Sequence, residues 1–136
     1  MILSLPLQVI LPRKKQARIF VLNLNIYRNT HYIVLNQAKA LYKEQVEQAV
    51  KEWESEQIIE SFTPPFIFTY TVYPANNKAF DLANVLPIVQ KFTDDALISL
   101  GIIRDDNHKI IPAINYRFGK VDKDNPRCEL EIREWR

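Results

Sequence analysis

Apolar and polar residues alternate from the start of the chain. Leu3, Leu5, Leu7, Val9 and Leu11 fall at every second position, the period of a strand that buries one face. Pro12 and the basic residues Arg13, Lys14 and Lys15 separate this run from a second short strand, Ala17 to Leu24, which carries Arg18 near its start. The pair predicts a hairpin over about residues 1–24 with a cationic tip. The amide-rich stretch Asn23 to Asn29 reads as a loop, Tyr32 to Leu35 as a brief strand, and Asn36 as a helix N-cap.

From Asn36 to about Gln57 the spacing changes. Ala38, Leu41, Tyr42, Val46, Ala49, Val50 and Trp53 fall three or four apart, one face of a helix, with Lys39, Lys43, Glu47 and Lys51 opposite. Pro64 and Pro65 mark a break, and Phe66 to Tyr73 has the aromatic, β-rich character of a central strand. A second helix follows from about Leu82 to Leu100, with Gly101 as its terminator. Pro87 lacks an N–H to donate, which places regular helical geometry from about Asn84 onward. Ile110 to Phe118 and Arg127 to Trp135 read as two last strands joined by the charged turn Lys120 to Pro126. There is no internal repeat and no interdomain linker. The order predicts one α+β domain over residues 1–136: a mixed, mainly antiparallel sheet of about four to six strands with two helices packed on it.

Composition narrows the chemistry. At 136 residues and 47% hydrophobic content the chain can bury a real core. The single cysteine, Cys128, allows neither an internal disulfide nor a zinc site built on paired thiolates, and reads as a structural thiol. Gly101 and Gly119 are too far apart to form a glycine-rich phosphate loop, so no nucleotide cofactor is expected. No run approaches the roughly 20 apolar residues of a membrane span. Pro6 interrupts the apolar N-terminus and the basic cluster follows rather than precedes it, unlike a secretion signal. A soluble cytoplasmic protein without membrane association is the expectation.

The formal net charge of +2 conceals segregation. Residues 1–51 carry +6, residues 52–106 carry −6 and residues 107–136 carry +2. A basic first third suits a polyanion, and an acidic middle suits cations, although ordinary surface charge re-mixed by folding gives the same counts. The acidic candidates are Asp81, before the second helix, and Asp105-Asp106, past its far end. Carboxylates without thiolates suit hard cations such as Mg²⁺; the same residues also fit a helix cap and a hydrophilic turn. A helix from Asn84 to Leu100 is about 24 Å long, so only a returning loop or a partner subunit could unite Asp81 with Asp106. Tyr27 and Arg28 suit base stacking and phosphate contact.

The pattern Asp81-Leu82-Ala83-Asn84, Gln90-Lys91-Phe92, Asp95-Ala96-Leu97, Gly101, Asp105-Asp106 resembles the signature of the RusA Holliday-junction resolvases. That family reads D-L-D-N, a helix containing Q-K, then D-A-L, a glycine and a closing D-D. Here the helix is about four residues longer, around Val85 to Ile88, and Asn25-Ile26-Tyr27-Arg28 is similar to the family's N-N-x-Y-x-R segment. The likeness runs from about residue 20 to 134, with its specific part in the 26 residues from Asp81 to Asp106.

The resemblance implies a homodimeric, Mg²⁺-dependent endonuclease (Mn²⁺ as a substitute) that cuts branched DNA in recombination and repair. It implies Asp81 and Asp106 as metal-binding catalytic carboxylates, with Asp105 beside them and Lys91 as the catalytic cation; the amide oxygen of Asn84 is a further donor available to the metal. It also implies a fold that returns the D-D loop toward Asp81. DNA contacts are expected from Arg13, Lys14, Lys15, Arg18, Tyr27 and Arg28. One departure stands out: Ala83 occupies the place of the family's second aspartate. The alternative expectation is therefore a catalytically impaired, DNA-binding or regulatory relative.

Overall fold

A computed structural model describes residues 1–56, 63–78 and 80–135. The elements run β1 (Ile2–Leu5), β2 (Gln8–Leu11), β3 (Arg18–Val21), α1 (Leu24–Arg28), α2 (Tyr32–Glu56), β4 (Phe66–Tyr73), α3 (Leu82–Ser99), β5 (Ala113–Phe118) and β6 (Arg127–Glu134). The α+β class holds, with a four-stranded mixed sheet in the order β1-β6-β4-β5 beside the antiparallel pair β2-β3. β4 pairs antiparallel with β6 and parallel with β5, and β1 pairs antiparallel with β6.

Several local expectations change. The first alternating run is two strands, divided at Pro6-Leu7: β1 joins the main sheet, whereas β2 forms the hairpin with β3. Alternation survives the break, with Leu3, Leu5, Val9 and Leu11 all buried. The expected loop at Asn23–Asn29 contains the short helix α1, whose N-cap Asn23 accepts a hydrogen bond from the Ile26 amide at 2.8 Å. Tyr32–Leu35 is the first turn of α2 rather than a strand, so Asn36 lies inside the helix and not at its cap. The described part of α2 ends at Glu56, and the expected end at Gln57 lies outside the described residues. Pro87 does not delay α3, which is helical from Leu82.

The last two strands do not pair with each other. β5 and β6 flank β4 on opposite sides, so Lys120 to Pro126 bridges across the end of β4 instead of closing a hairpin. Along this bridge the Gly119 amide donates to the Val72 carbonyl, and that of Asp122 to the Pro74 carbonyl.

α2 and α3 cover one face of the sheet and pack on each other. Phe68, Tyr70, Val72, Leu130 and Ile132 meet Tyr42, Val46, Leu86, Val89 and Phe92 in one core. Phe92 joins the layers: its ring stacks on Phe20 of the hairpin at 6.0 Å and meets Tyr42 of α2 edge-on at 5.7 Å. The other sheet face carries Thr69, Thr71, Glu129, Glu131 and Arg117, which line a shallow depression. Among the described residues no helix is long and apolar enough to cross a membrane.

Candidate functional site

α3 is the spine of the candidate site. Asp81 is its N-cap: the backbone is extended there and Oδ1 accepts a hydrogen bond from the Ala83 amide at 3.0 Å. The capping reading of this residue is thus realised, and it leaves Oδ2 for other work. Ala83 lies in the first helical turn on an exposed position, with no side-chain donor atom for a cation. Asn84 is half-buried on the next position, and Lys91 is exposed near the middle of the helix.

Gly101 ends α3 in the left-handed region, at φ 74°. There glycine spares the chain the steric cost that a side chain would meet. Ile102 and Ile103 then donate back to the Leu97 carbonyl, which turns the chain toward the sheet. Asp105 organises the following loop: Oδ1 accepts from the Asp106 amide and Oδ2 from the Asn107 side chain, each at 2.8 Å. These hydrogen bonds, the Asp106 amide foremost, hold its carboxyl below the usual range. The loop ends where the Ile110 carbonyl accepts from the Phe66 amide, at the start of β4.

This topology fixes where the two carboxylates can be. Because β4 and β5 run parallel, α3 runs back between their opposite ends. Asp81 therefore lies at the end of the sheet where β4 and β5 finish, and Asp106 at the end where they begin. The loop returns far enough for Asp106 to act electrostatically on Asp94, thirteen residues along the helix from Asp81. That is about 20 Å of helix axis. Among the described residues no three His, Cys, Asp or Glu side chains gather as a metal-binding group. Within one chain, then, Asp81 and Asp106 do not converge on a shared ion.

The cationic residues divide into two groups. Arg13, Lys14, Lys15 and Arg18 are all exposed at or beside the hairpin tip. Arg13 is tethered there, donating to the Pro12 carbonyl at 2.7 Å and to Gln37 of α2 at 3.1 Å. The other end of the hairpin faces the Asp81 region across an apolar groove of about 450 Å³, walled by Leu7, Val21, Phe80 and Val85 among others. Tyr27 and Lys91 form the second group. The Lys91 ammonium sits 5.9 Å from the centre of the Tyr27 ring, which in turn makes a T-shaped contact with Phe92, centroids 6.4 Å apart. Tyr27 is consequently half-buried, and exposed Arg28 closes the same helix α1.

A buried polar cluster escaped the sequence analysis. Asp94 is only 4% exposed, and Gln90 donates to its Oδ2 at 3.4 Å while Oδ1 has no partner. Gln90 in turn accepts from the Tyr116 hydroxyl of β5. Nearby, Tyr42 and Thr93 share a hydrogen bond of 2.8 Å, and the buried Tyr70 hydroxyl has no partner. Burial pushes the Asp94 carboxyl up to about 7, with Asp106 and Asp95 adding repulsion and the Gln90 bond opposing. The sequence did contain a signal: Gln90 and Asp94 stand four apart, on one helix face with Leu86 and Ile98. Cys128 is fully buried and its thiol is pushed up to about 12, chiefly by burial, in keeping with a structural role.

Compared with models of known protein families and with curated proteins, the chain matches none.

Proposed function

We propose that the protein is a Mg²⁺-dependent, structure-specific endonuclease of the RusA type, acting as a homodimer on branched DNA. The observation that carries this reading is the arrangement of the resembling motif along one helix. Asp81 caps α3, Lys91 projects from its exposed side, and the Asp105-Asp106 loop turns back toward its flank. Asp105 holds the loop while Asp106 is exposed beyond it. Lys91 stands ready to neutralise a phosphate, and the hairpin tip offers four exposed cations for the DNA backbone. A bound Mg²⁺ would polarise a phosphoryl oxygen and lower the pKa of a coordinated water. Since the donors of one chain do not converge, a shared ion requires a second chain.

Ala83 favours a second reading, a DNA-binding relative with cleavage lost. Cleavage of a synthetic four-way junction in Mg²⁺ or Mn²⁺ separates the two. The nuclease reading expects the wild type to cut and Asp81→Asn to lose at least tenfold in rate while keeping the N-cap. Asp81→Ala should lose the same activity and also about 1 kcal/mol of stability in denaturant unfolding. No cutting by the wild type, with rapid cutting by Ala83→Asp, would instead establish the binding-only reading.

A further inference from the structure

We infer that an apolar strip, leading from the outer face of the β2–β3 hairpin into the groove beside Asp81, receives the unstacked bases of a DNA branch point. The inference rests on the endonuclease reading and deepens it, since it assigns what the protein recognises in a branched strand. In the hairpin register Val9, Leu11 and Phe20 turn inward, while the opposed pairs Gln8–Val21 and Ile10–Ile19 turn outward. Ile10 and Ile19 are 61% and 57% exposed, and Val21 is 40% exposed two residues along β3. Single exposed aliphatics are ordinary, but these three adjoin. Gln8 and Val21 also wall the groove, together with Phe80 and Val85. Among the described residues that line the groove none is charged, so the strip continues to Phe80, the residue before Asp81.

Charge selects the occupant. Residues 1–43 contain no Asp or Glu, and Arg13, Lys14, Lys15 and Arg18 stand exposed at the hairpin tip just beyond the isoleucine pair. An uncharged strip bordered by cations complements a polymer with phosphates along its backbone and apolar faces on its bases. Intact duplex hides those faces in its stack and offers the strip nothing to cover. A branch point interrupts the stack, and aliphatic side chains can then wedge against bases whose unstacking is already largely achieved. The groove suits one such base. Its volume of about 450 Å³ lies in the range of clefts that enclose small ligands, and Phe80 offers a ring for stacking. Asn76, also in its wall, accepts from the Lys78 amide through Oδ1 at 3.1 Å, which leaves its NH₂ group to donate to a base carbonyl.

This arrangement divides the work of binding. The cations hold the backbone of any DNA, linear or branched, through phosphate contacts that carry no sequence information. The strip responds only to bases that have left the stack, and it does so by apolar contact, a mode that tolerates any sequence. Preference for branched DNA therefore comes from Ile10, Ile19 and Phe80, and affinity for DNA as such comes from the hairpin tip. Because the strip ends at Phe80, a base held in the groove brings its own strand to the N-terminus of α3, beside Asp81.

The test uses the full chain with a synthetic four-way junction and a linear duplex of the same sequence, in EDTA so that no cleavage is needed. Ile10→Ser combined with Ile19→Ser should weaken junction binding about tenfold or more and change duplex binding less than about twofold, as expected for lost base contacts. Both side chains project into solvent, so the variant should melt as the wild type does. Phe80→Ser should act alike, and Phe80→Tyr, which keeps the ring, should retain the preference for the junction. With 5-iodouracil at the branch point, near-ultraviolet irradiation should attach the DNA to Phe80; with the label inside an arm it should not. A junction preference kept by the double serine variant, an equal loss on both DNAs, or attachment indifferent to the label's position would overturn the inference and leave the endonuclease reading standing. So would phosphatidylserine-vesicle binding that the double variant loses, or a change in its sedimentation without DNA, since the patch would then meet lipid or protein. Failure of the wild type to bind either DNA would remove the endonuclease reading and this inference together.

Discussion

At the scale of single residues, the carboxylates of α3 are distinguished by what surrounds them. Asp81 is exposed and has a structural task already, whereas Asp94 is buried with half its acceptor capacity unmet. An unfolded aspartate releases its proton near pH 4, but Asp94 in the folded chain retains it up to about 7. Between those values the folded state binds more protons, so stability falls as pH rises through the window and levels off above it. The fall is on the order of 2–4 kcal/mol. Calorimetry at pH 5 and pH 8 should show a higher melting temperature at pH 5 for the wild type, and a much smaller difference for Asp94→Asn. Asp81 was legible in the sequence because it precedes a helical stripe. Asp94 was not, because periodicity marks positions that turn inward but cannot say that a polar side chain will follow the apolar ones.

Among elements, the sequence pattern was a good guide wherever a single face is buried over several turns. α3 and β4 occur where their spacing placed them, and Gly101 ends α3 as expected. Short segments depart from their local preference where context opposes it. Tyr32, Ile33 and Val34 favour strands, yet they continue into the long stripe of α2, and elongating an existing helix is far easier than nucleating a separate strand. The hairpin with its cationic tip is present, but the residues before Pro6 belong to the main sheet. If the tip binds phosphate, replacing Arg13, Lys14 and Lys15 by alanine should reduce the salt dependence of junction binding. The slope of log K against log salt should become shallower by about 2 to 3, with little change in folding, since all three side chains are exposed.

For the molecule as a whole, the composition of layers was readable, but not which strands adjoin. Nothing in the pattern of Ile110–Phe118 or Arg127–Trp135 reveals that β4 stands between them, because strand neighbours are chosen by long-range packing. That choice matters for function. It makes β4, α3 and β5 a parallel crossover, which separates Asp81 from Asp106 and leaves β5 at the edge. The central claim is that two chains share each carboxylate pair, and mixing two inactive variants tests it directly. Asp81→Asn and Asp106→Asn proteins should each fail to cut a four-way junction in Mg²⁺. Their mixture, after exchange of subunits, should recover nicking, because each mixed dimer holds one site with both aspartates and one with neither. A mixture as inactive as its components, under conditions where the wild type cuts, would show that the aspartates do not act across the dimer.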